Sequence, residues 1–356
     1  GEIAFELYDT HGFPLDLTEQ AAEEKTFTVD VPGFETAMEN QRAMGRASWK
    51  GKADTDTSQW ESVRDEHGSV TFQGYAQEQL TAPILSIQTN SDNTAMIVTS
   101  DTPFYAESGG QVGDTGTISS DNGDFTVTDA QSAIDGITVH HGKFQKGEFR
   151  VGEQVSLKID STQRNQTRKN HSATHLLHFA LRNVLGDHVK QRGSMVGPER
   201  LRFDFSHFGP LTPEEMVTIE NQVNERILKN VSVTTDVLSK EEAIAKGAVA
   251  FFGDKYGDEV RMLTITTDSV ELCGGTHVQS TGDIGLFKII SDNGLAAGVR
   301  RIEAATGMRA VAHVQEQENT LREVAGELKV GVGEVTERIR KMREDANAMR
   351  LTVQSL

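Results

Sequence analysis

The spacing of apolar and polar positions changes character several times along the chain. Up to about residue 50 the apolar positions follow mixed helical spacing, broken at Gly12-Phe13-Pro14 and followed by a Gln/Arg/Lys-rich stretch from Gln41 to Lys52. This predicts a helical fragment without a core of its own. Ala53 to Ser69 holds five acids and, apart from Trp60 and Val63, almost no large apolar residue, the composition of a connector. From Val70 to Asp160 short β-branched runs take over: Ile84 to Gln88, Ala95 to Thr99, Phe125 to Thr128, Ile137 to His140 and Gln154 to Ile159. Turn clusters such as Asn90-Ser91-Asp92-Asn93 and Asp121-Asn122-Gly123-Asp124 separate them, which predicts a small β-barrel or sandwich.

Residues 161 to 306 mix the two periods. Thr212-Pro213-Glu214-Glu215 is a capping box with proline in the first turn, and Met216, Ile219, Val223 and Ile227 then share one helical stripe. Ser239 to Glu242 repeats the box and Gly247 supplies a stop. Val231 to Leu238, Glu259 to Thr266, Gly285 to Ile290 and Val299 to Ala304 read as strands of an α+β domain. After Gly331-Val332-Gly333, the positions Val335, Ile339, Met342, Ala346, Met349, Val353 and Leu356 step alternately by four and three. That is a heptad seam suited to a coiled coil, with a plain amphipathic helix packed on its own domain as the alternative.

Charge narrows the choice of partner. The net charge of −18 excludes a uniformly basic nucleic-acid binder. Between Arg164 and Arg202, however, eight basic residues face two acidic ones. A local basic stripe can dock a polyanion, because phosphate contacts depend on local charge, although a solvated helix face gives the same count. The longest apolar run, Ala248 to Phe252, is far too short to span a membrane. The single cysteine, Cys273, forms no internal disulfide and fits a reducing compartment or a metal-bound thiolate. Gly1 at one end and a periodic helix at the other give both termini the look of cuts through a larger protein, so targeting signals are not legible.

The chemistry concentrates in two short segments. His171-Ser172-Ala173-Thr174-His175 heads an apolar-periodic stretch through Leu185, so it should be helical with both imidazoles on one face. Alone, such a pair is weak evidence, and His178 one turn on is a decoy. Cys273-Gly274-Gly275-Thr276-His277 follows the strand-like Val270-Glu271-Leu272, with two glycines to turn thiolate and imidazole towards one point. Together the segments make a three-nitrogen, one-sulfur set suited to tetrahedral Zn²⁺. Four protein ligands are the habit of structural sites, whereas catalytic ones usually keep a position open, so the role of the metal stays undecided. Arg300-Arg301 lie on a predicted strand whose alternation sends one guanidinium to each face, and one of them can reach the site. Tyr105 to Gly113 is a glycine-rich loop without the context of a nucleotide-binding fingerprint; it reads as a tight turn, with substrate contact as the other possibility.

With these motifs in place, the chain closely resembles the alanyl-tRNA synthetase family, specifically its editing region. Leu7 to Thr18 looks like the closing segment of that family's synthetic and tRNA-recognition module, with His11 in place of a common tyrosine. Tyr105 to Gly113 looks like the loop of the barrel before the editing core. His171 to His175, Leu201 to His207, Cys273 to Val278 and Gly298 to Glu303 look like the core itself, and the heptad stretch like the start of the coiled-coil arm. The resemblance implies an α+β multidomain chain: a helical N-terminal remnant (1–60), a small β-barrel (70–160), an α+β zinc-containing editing core (161–308) and a C-terminal coiled-coil helical arm (309–356).

In function, the resemblance implies a cytoplasmic hydrolase that removes serine or glycine wrongly attached to tRNA(Ala). One zinc would be held by His171, His175, Cys273 and His277. Gln191 and Arg300 would line the deacylation pocket, Gly109, Gly110 and Gln111 would contact substrate, and the acceptor end of tRNA(Ala) would be the partner. Self-association through the heptad arm is a further expectation. The ATP-dependent, alanine-activating module lies upstream in that family, so no aminoacylation is expected of this stretch. Selection physics agrees with a second site: a pocket shaped for a methyl group discriminates against glycine or serine by only ~10–200-fold, whereas one that hydrogen-bonds the serine hydroxyl rejects alanine far better. No Ser/His/Asp triad is apparent, so direct attack by water on the activated ester is the expected step. Two rivals remain, a purely structural zinc module that binds tRNA and a free-standing trans-editing protein; residues 1–50 and the heptad arm weigh against the second.

Overall fold

The structure is a computed structural model that describes residues 1, 3–5, 15–23, 25, 27–48, 57–248, 259–267 and 269–354. Residues 7–14 of the N-terminal motif, His11 included, lie outside the described residues, as do 249–252 of the apolar run, 53–56 of the connector and Leu356 of the heptad seam.

Among the described residues the N-terminal stretch includes the helices α1 (Leu15–Glu23) and α2 (Val31–Ser48). The connector holds a third, α3 (Ser58–His67). Its composition misled because only Trp60 and Val63 are apolar, yet those two do the docking: Trp60 is buried with Val98, Ile137 and Val139, and Val63 packs alongside.

Next come the two-residue β1 (Thr71–Phe72) and β4 (Asp101–Thr102), paired in parallel, and a closed barrel. The barrel strands are β2 (Gln79–Thr89), β3 (Thr94–Thr99), β5 (Gly116–Ser120), β6 (Gly123–Ile134), β7 (Ile137–Gly147) and β8 (Gln154–Ile159). They close in the order β2-β3-β7-β6-β5-β8, which removes every free edge. All five predicted strand runs lie in it; β5, Gly-Thr-Ile-Ser-Ser, carries one large apolar residue, Ile118, and gave no run to read. The barrel is filled by Ile84, Ile97, Ile118, Phe125, Val127 and Leu157, all buried.

The helix α4 (Ser161–Leu185) begins a full ten residues before His171, capped by Asp160, whose carboxylate accepts from the N–H groups of Thr162 and Gln163 at 2.9 and 3.1 Å. Its first turns bury Arg164, Thr167 and Asn170, so no apolar periodicity announces them. Arg164 seats the helix on the barrel: its Nε donates to both Asp114 oxygens at 2.9 and 3.0 Å, and its other nitrogens donate to the carbonyls of Gly74 (2.7 Å) and Pro103 (2.8 Å).

A four-stranded antiparallel sheet packs against α4 and α5 (Pro213–Leu228). Its strands are β9 (Gln191–Val196), β10 (Leu201–Ser206), β14 (Phe287–Ala296) and β15 (Val299–Thr306), in the order β14-β15-β10-β9. Leu176, Leu177, Leu181, Phe203, Phe205, Ile219, Val223, Phe287 and Ile302 fill this core. A smaller sheet, β11 (Thr234–Ser239), β12 (Glu259–Thr266) and β13 (Ser269–Leu272), carries α6 (Lys240–Ala245) and ends just before Cys273. Both predicted capping boxes form.

The chain closes with α7 (Gly307–Leu328) and α8 (Val335–Gln354). Val335 is buried, whereas Ile339, Met342, Met349 and Val353 are exposed, so within the described residues the seam has no partner covering it. Among the described residues no helix is long and apolar enough to cross a membrane.

Candidate metal centre

Helix α4 and the turn after β13 meet at one point. His171 and His175 project from adjacent turns of α4 with ring centroids 5.2 Å apart, and Cys273 and His277 face them from the turn. The four donor atoms lie within 4.8 Å of one another. Sγ of Cys273 is 3.5 Å from Nε2 of His171 and 3.3 Å from Nε2 of His277; the edges of a tetrahedron with metal bonds of ~2.0–2.3 Å measure about 3.3–3.8 Å. Nε2 of His175 is buried with no hydrogen-bond partner among the described residues, which costs stability unless something else satisfies it. The group could hold a metal ion.

Each imidazole is aimed by a partner on its far nitrogen. Nδ1 of His171 faces Oε1 of Gln111 at 2.8 Å, Nδ1 of His175 contacts the Glu271 carboxylate, and Nδ1 of His277 lies 3.2 Å from Oγ of Ser172. With Nδ1 of each ring engaged outward, every Nε2 faces the centre, the arrangement that metal-binding histidines adopt. The turn is clamped as well: Arg261 donates to the carbonyls of Cys273 (3.1 Å) and Gly275 (2.8 Å), and the Tyr75 hydroxyl donates to that of Gly274. Gly275 has no alternative, because a Cβ there would lie 2.1 Å from Cε1 of His171.

Burial disfavours the Cys273 thiolate, but the imidazoles of His171, His277 and His175 more than offset it and hold the thiol well below its ordinary value. Burial pushes His277 down to about 3. The same burial acts on His175, yet the Glu271 carboxylate and the thiolate overcome it and carry that ring up to about 10. A thiolate and a carboxylate-backed imidazole form a donor set with charge to share with a cation.

A family model for class II (A) tRNA synthetases matches residues 1–163. That for the threonyl and alanyl tRNA synthetase second additional domain matches residues 260–303, which include Cys273 and His277. The chain is 47% identical to the alanine–tRNA ligase of Parvibaculum lavamentivorans and 46% identical to that of Mesorhizobium japonicum, over 97% of its own length in each case. The chain belongs to the alanyl-tRNA synthetase family. It spans 41% of the length of these curated relatives.

Within this alanyl-tRNA synthetase chain three of the four donors, His171, His175 and Cys273, border a cavity of about 480 Å³, whose wall also includes Gly109, Gln191, Ser194 and Phe203. Gln191, half-buried at the start of β9, thus shares the cavity with the metal group. Arg300 does not line it. Arg300 and Gln191 are both in register with Phe205, two strands apart on one face, and the Arg300 guanidinium is engaged by Asp292 at 2.7–2.8 Å. Arg301, on the opposite face, is held by Asp204.

The glycine-rich loop divides its roles. Ser108 to Gln111 is a tight turn, closed by reciprocal backbone hydrogen bonds. Gly109 faces the cavity, while Gly110, at φ 90°, lets the backbone pass where a Cβ would meet the Ser194 carbonyl at 2.5 Å. Gln111 is fully buried, its oxygen accepting from the Thr276 N–H and its nitrogen donating to Oγ1 of Thr276, both at 2.9 Å.

The basic stripe is thinner than its count: Arg164 is buried against Asp114, and Arg168, Arg182 and Arg200 are paired with Glu78, Asp187 and Glu303. Sequence reasoning missed Glu271, Ser172, Tyr75 and Arg261. Glu271 had a signal, an acid two places ahead of the thiolate on a strand; the rest had none.

Proposed function

We propose that this chain is the editing portion of an alanyl-tRNA synthetase, a deacylase that hydrolyses Ser-tRNA(Ala) and Gly-tRNA(Ala). The observation that carries it is the cavity that Gln191 shares with His171, His175 and Cys273 of the four-donor group. A set of three nitrogens and one sulfur suits Zn²⁺. Zinc, when bound, supplies either polarisation of an oxygen it touches or a cross-link between turn and helix.

The chain's own residues account for selection. Gln191 offers both a donor and an acceptor to a serine hydroxyl, and alanine, lacking that hydroxyl, would leave the amide unpaired. Gly109 keeps the wall open for the aminoacyl ester. Arg300, held by Asp292 two strands from Gln191 on the same sheet face, is assigned the support of that face. Because the ester is already activated, a positioned water suffices as nucleophile.

The same reading assigns residues 1–60 to the tail of the synthetic module, 70–160 to the barrel, 161–308 to the editing core and 309–356 to an arm that self-associates through its exposed seam. The partner is the acceptor end of tRNA(Ala) in the cytoplasm, and ATP-dependent ligation of alanine belongs to the whole protein. A second reading, a zinc module that binds tRNA without hydrolysis, is favoured by one observation: four protein donors already fill a tetrahedron. Incubating the purified chain with Ser-tRNA(Ala) and Ala-tRNA(Ala) separates the two. Selective loss of serine supports the deacylase, and full activity in both Gln191→Ala and Arg300→Ala would remove those two residues from the mechanism.

A further inference from the structure

Six rings form a ladder from the metal cavity to the surface. Phe203 and His178, both in the cavity wall, have centroids 5.2 Å apart. Alternation along β10 then places Phe205 beside Phe203 at 6.2 Å and His207 beside Phe205 at 6.2 Å, with planes tilted by 19° and 25°. His188 continues at 5.2 Å from His207, and Phe208 at 6.2 Å from His188, tilted by 24° and 22°. The inner phenyls are core. The outer three are not: His188 is exposed, His207 partly so, and Phe208 is 85% exposed, the most exposed large apolar side chain among the described residues.

A lone exposed phenyl needs no explanation. This one is propped in place. His207 donates its backbone N–H to the Gly298 carbonyl at 3.0 Å, Nδ1 of His207 and Nε2 of His188 lie 2.9 Å apart, and the phenyl lies over Gly298. Lys190 and Arg192, next along the chain from His188, are exposed and have no ion-pair partner among the described residues. The two acids that act on His207, Glu215 and Asp292, are already engaged, Glu215 in its capping box and Asp292 by Arg300. Flat rings beside uncompensated cations are what unpaired nucleotides stack and track on.

We infer that Phe208, His188 and His207 form a stacking platform for the unpaired nucleotides preceding the 3′-terminal adenosine of the substrate RNA. The platform lies at the outer end of the ring ladder whose inner members, Phe203 and His178, border the cavity. The inference rests on the reading that the partner is tRNA, and it names where that partner's single-stranded end lies.

The test measures binding of two labelled RNA minihelices to the intact chain by fluorescence anisotropy, one ending in unpaired CCA and the other blunt. The wild type binds the CCA-ended form more tightly, Phe208→Ala reduces that preference about tenfold, and Phe208→Tyr restores it. A surface phenyl can be truncated without unfolding the chain. A wild type indifferent to the unpaired end, or a Phe208→Ala chain that keeps the preference, overturns the platform whatever the deacylation assay shows. Absence of Ser-tRNA(Ala) hydrolysis with a preference that depends on Phe208 would overturn the deacylase reading and uphold the platform.

Discussion

Oε1 of Gln111 and Nδ1 of His171 lie 2.8 Å apart, joining a loop at the barrel to the middle of α4 across 60 positions of sequence. The same oxygen accepts from the Thr276 N–H. One buried amide therefore orients a helix imidazole and ties down the turn that carries the thiolate.

Replacing Gln111 by Ala should weaken metal binding ~10–100-fold, the usual effect of losing a ligand's outer hydrogen-bond partner. Competition with a chromophoric chelator reads this without any activity assay. Affinity equal to that of the wild type would strip Gln111 of its orienting role.

Gly275→Ala drives a methyl group into the His171 ring. Overpacking of this kind costs ~1–3 kcal/mol, and here the displaced group is a ligand. The variant should keep the barrel's far-UV signature and lose the thiolate-to-cobalt absorption band when loaded with Co²⁺.

Removing the metal should lower the thermal midpoint of the wild type, since a ligand present at a thousand times its Kd adds ~4 kcal/mol to the folded state. Cys273→Ser, lacking the thiolate, should unfold at nearly the same temperature with or without chelator. A wild type indifferent to chelation would place no ion in the group.

Arg164 and Asp114 are a buried pair, and cutting one partner leaves a charge uncompensated. Arg164→Leu should cost ~3–5 kcal/mol, and Asp114→Asn added to it should recover part of the loss. Urea unfolding of both variants checks the pair, and an additive double variant would speak against it.

His140 supplies a pH test. Fully buried in the barrel, it uses both ring nitrogens, one at 2.9 Å from the Ile97 carbonyl and the other at 2.7 Å from the Thr102 hydroxyl, and burial pushes it down to about 4. The unfolded imidazole takes up its proton near pH 6.5 while the folded one resists to about 4. Its contribution is whole above pH 6.5 and falls away as pH drops to 4, by ~3 kcal/mol. His140→Gln should flatten that part of the stability profile, measured by denaturant titration at steps between pH 7 and 4.

What was readable depended on how each element is stabilised. The barrel strands and both capping boxes rest on local patterns of β-branched runs and capping spacing, so they appear in the sequence at nearly their true positions. The first turns of α4 are held by Arg164, Thr167 and Asn170, polar side chains with partners far along the chain, and no periodicity reveals them. Helix α3 hid for a related reason, since two residues, Trp60 and Val63, do its docking. Arg164 was counted with an outward basic stripe because a sequence does not show which guanidinium meets a buried carboxylate.

The sequence by itself determined the chemistry available: three imidazoles and one thiolate at spacings of four residues, on a helix and on a glycine turn, beside a run of net positive charge. Tertiary structure alone decided how it is used. It set which nitrogen of each ring faces inward, made Gln111 a support for His171, kept Gln191 in the cavity wall and turned Arg300 to Asp292. The physical reason is range. Spacing along a helix or strand fixes which side chains share a face, whereas aim and burial come from contacts between segments dozens of residues apart, such as the loop at Gln111, the helix at His171 and the turn at Thr276.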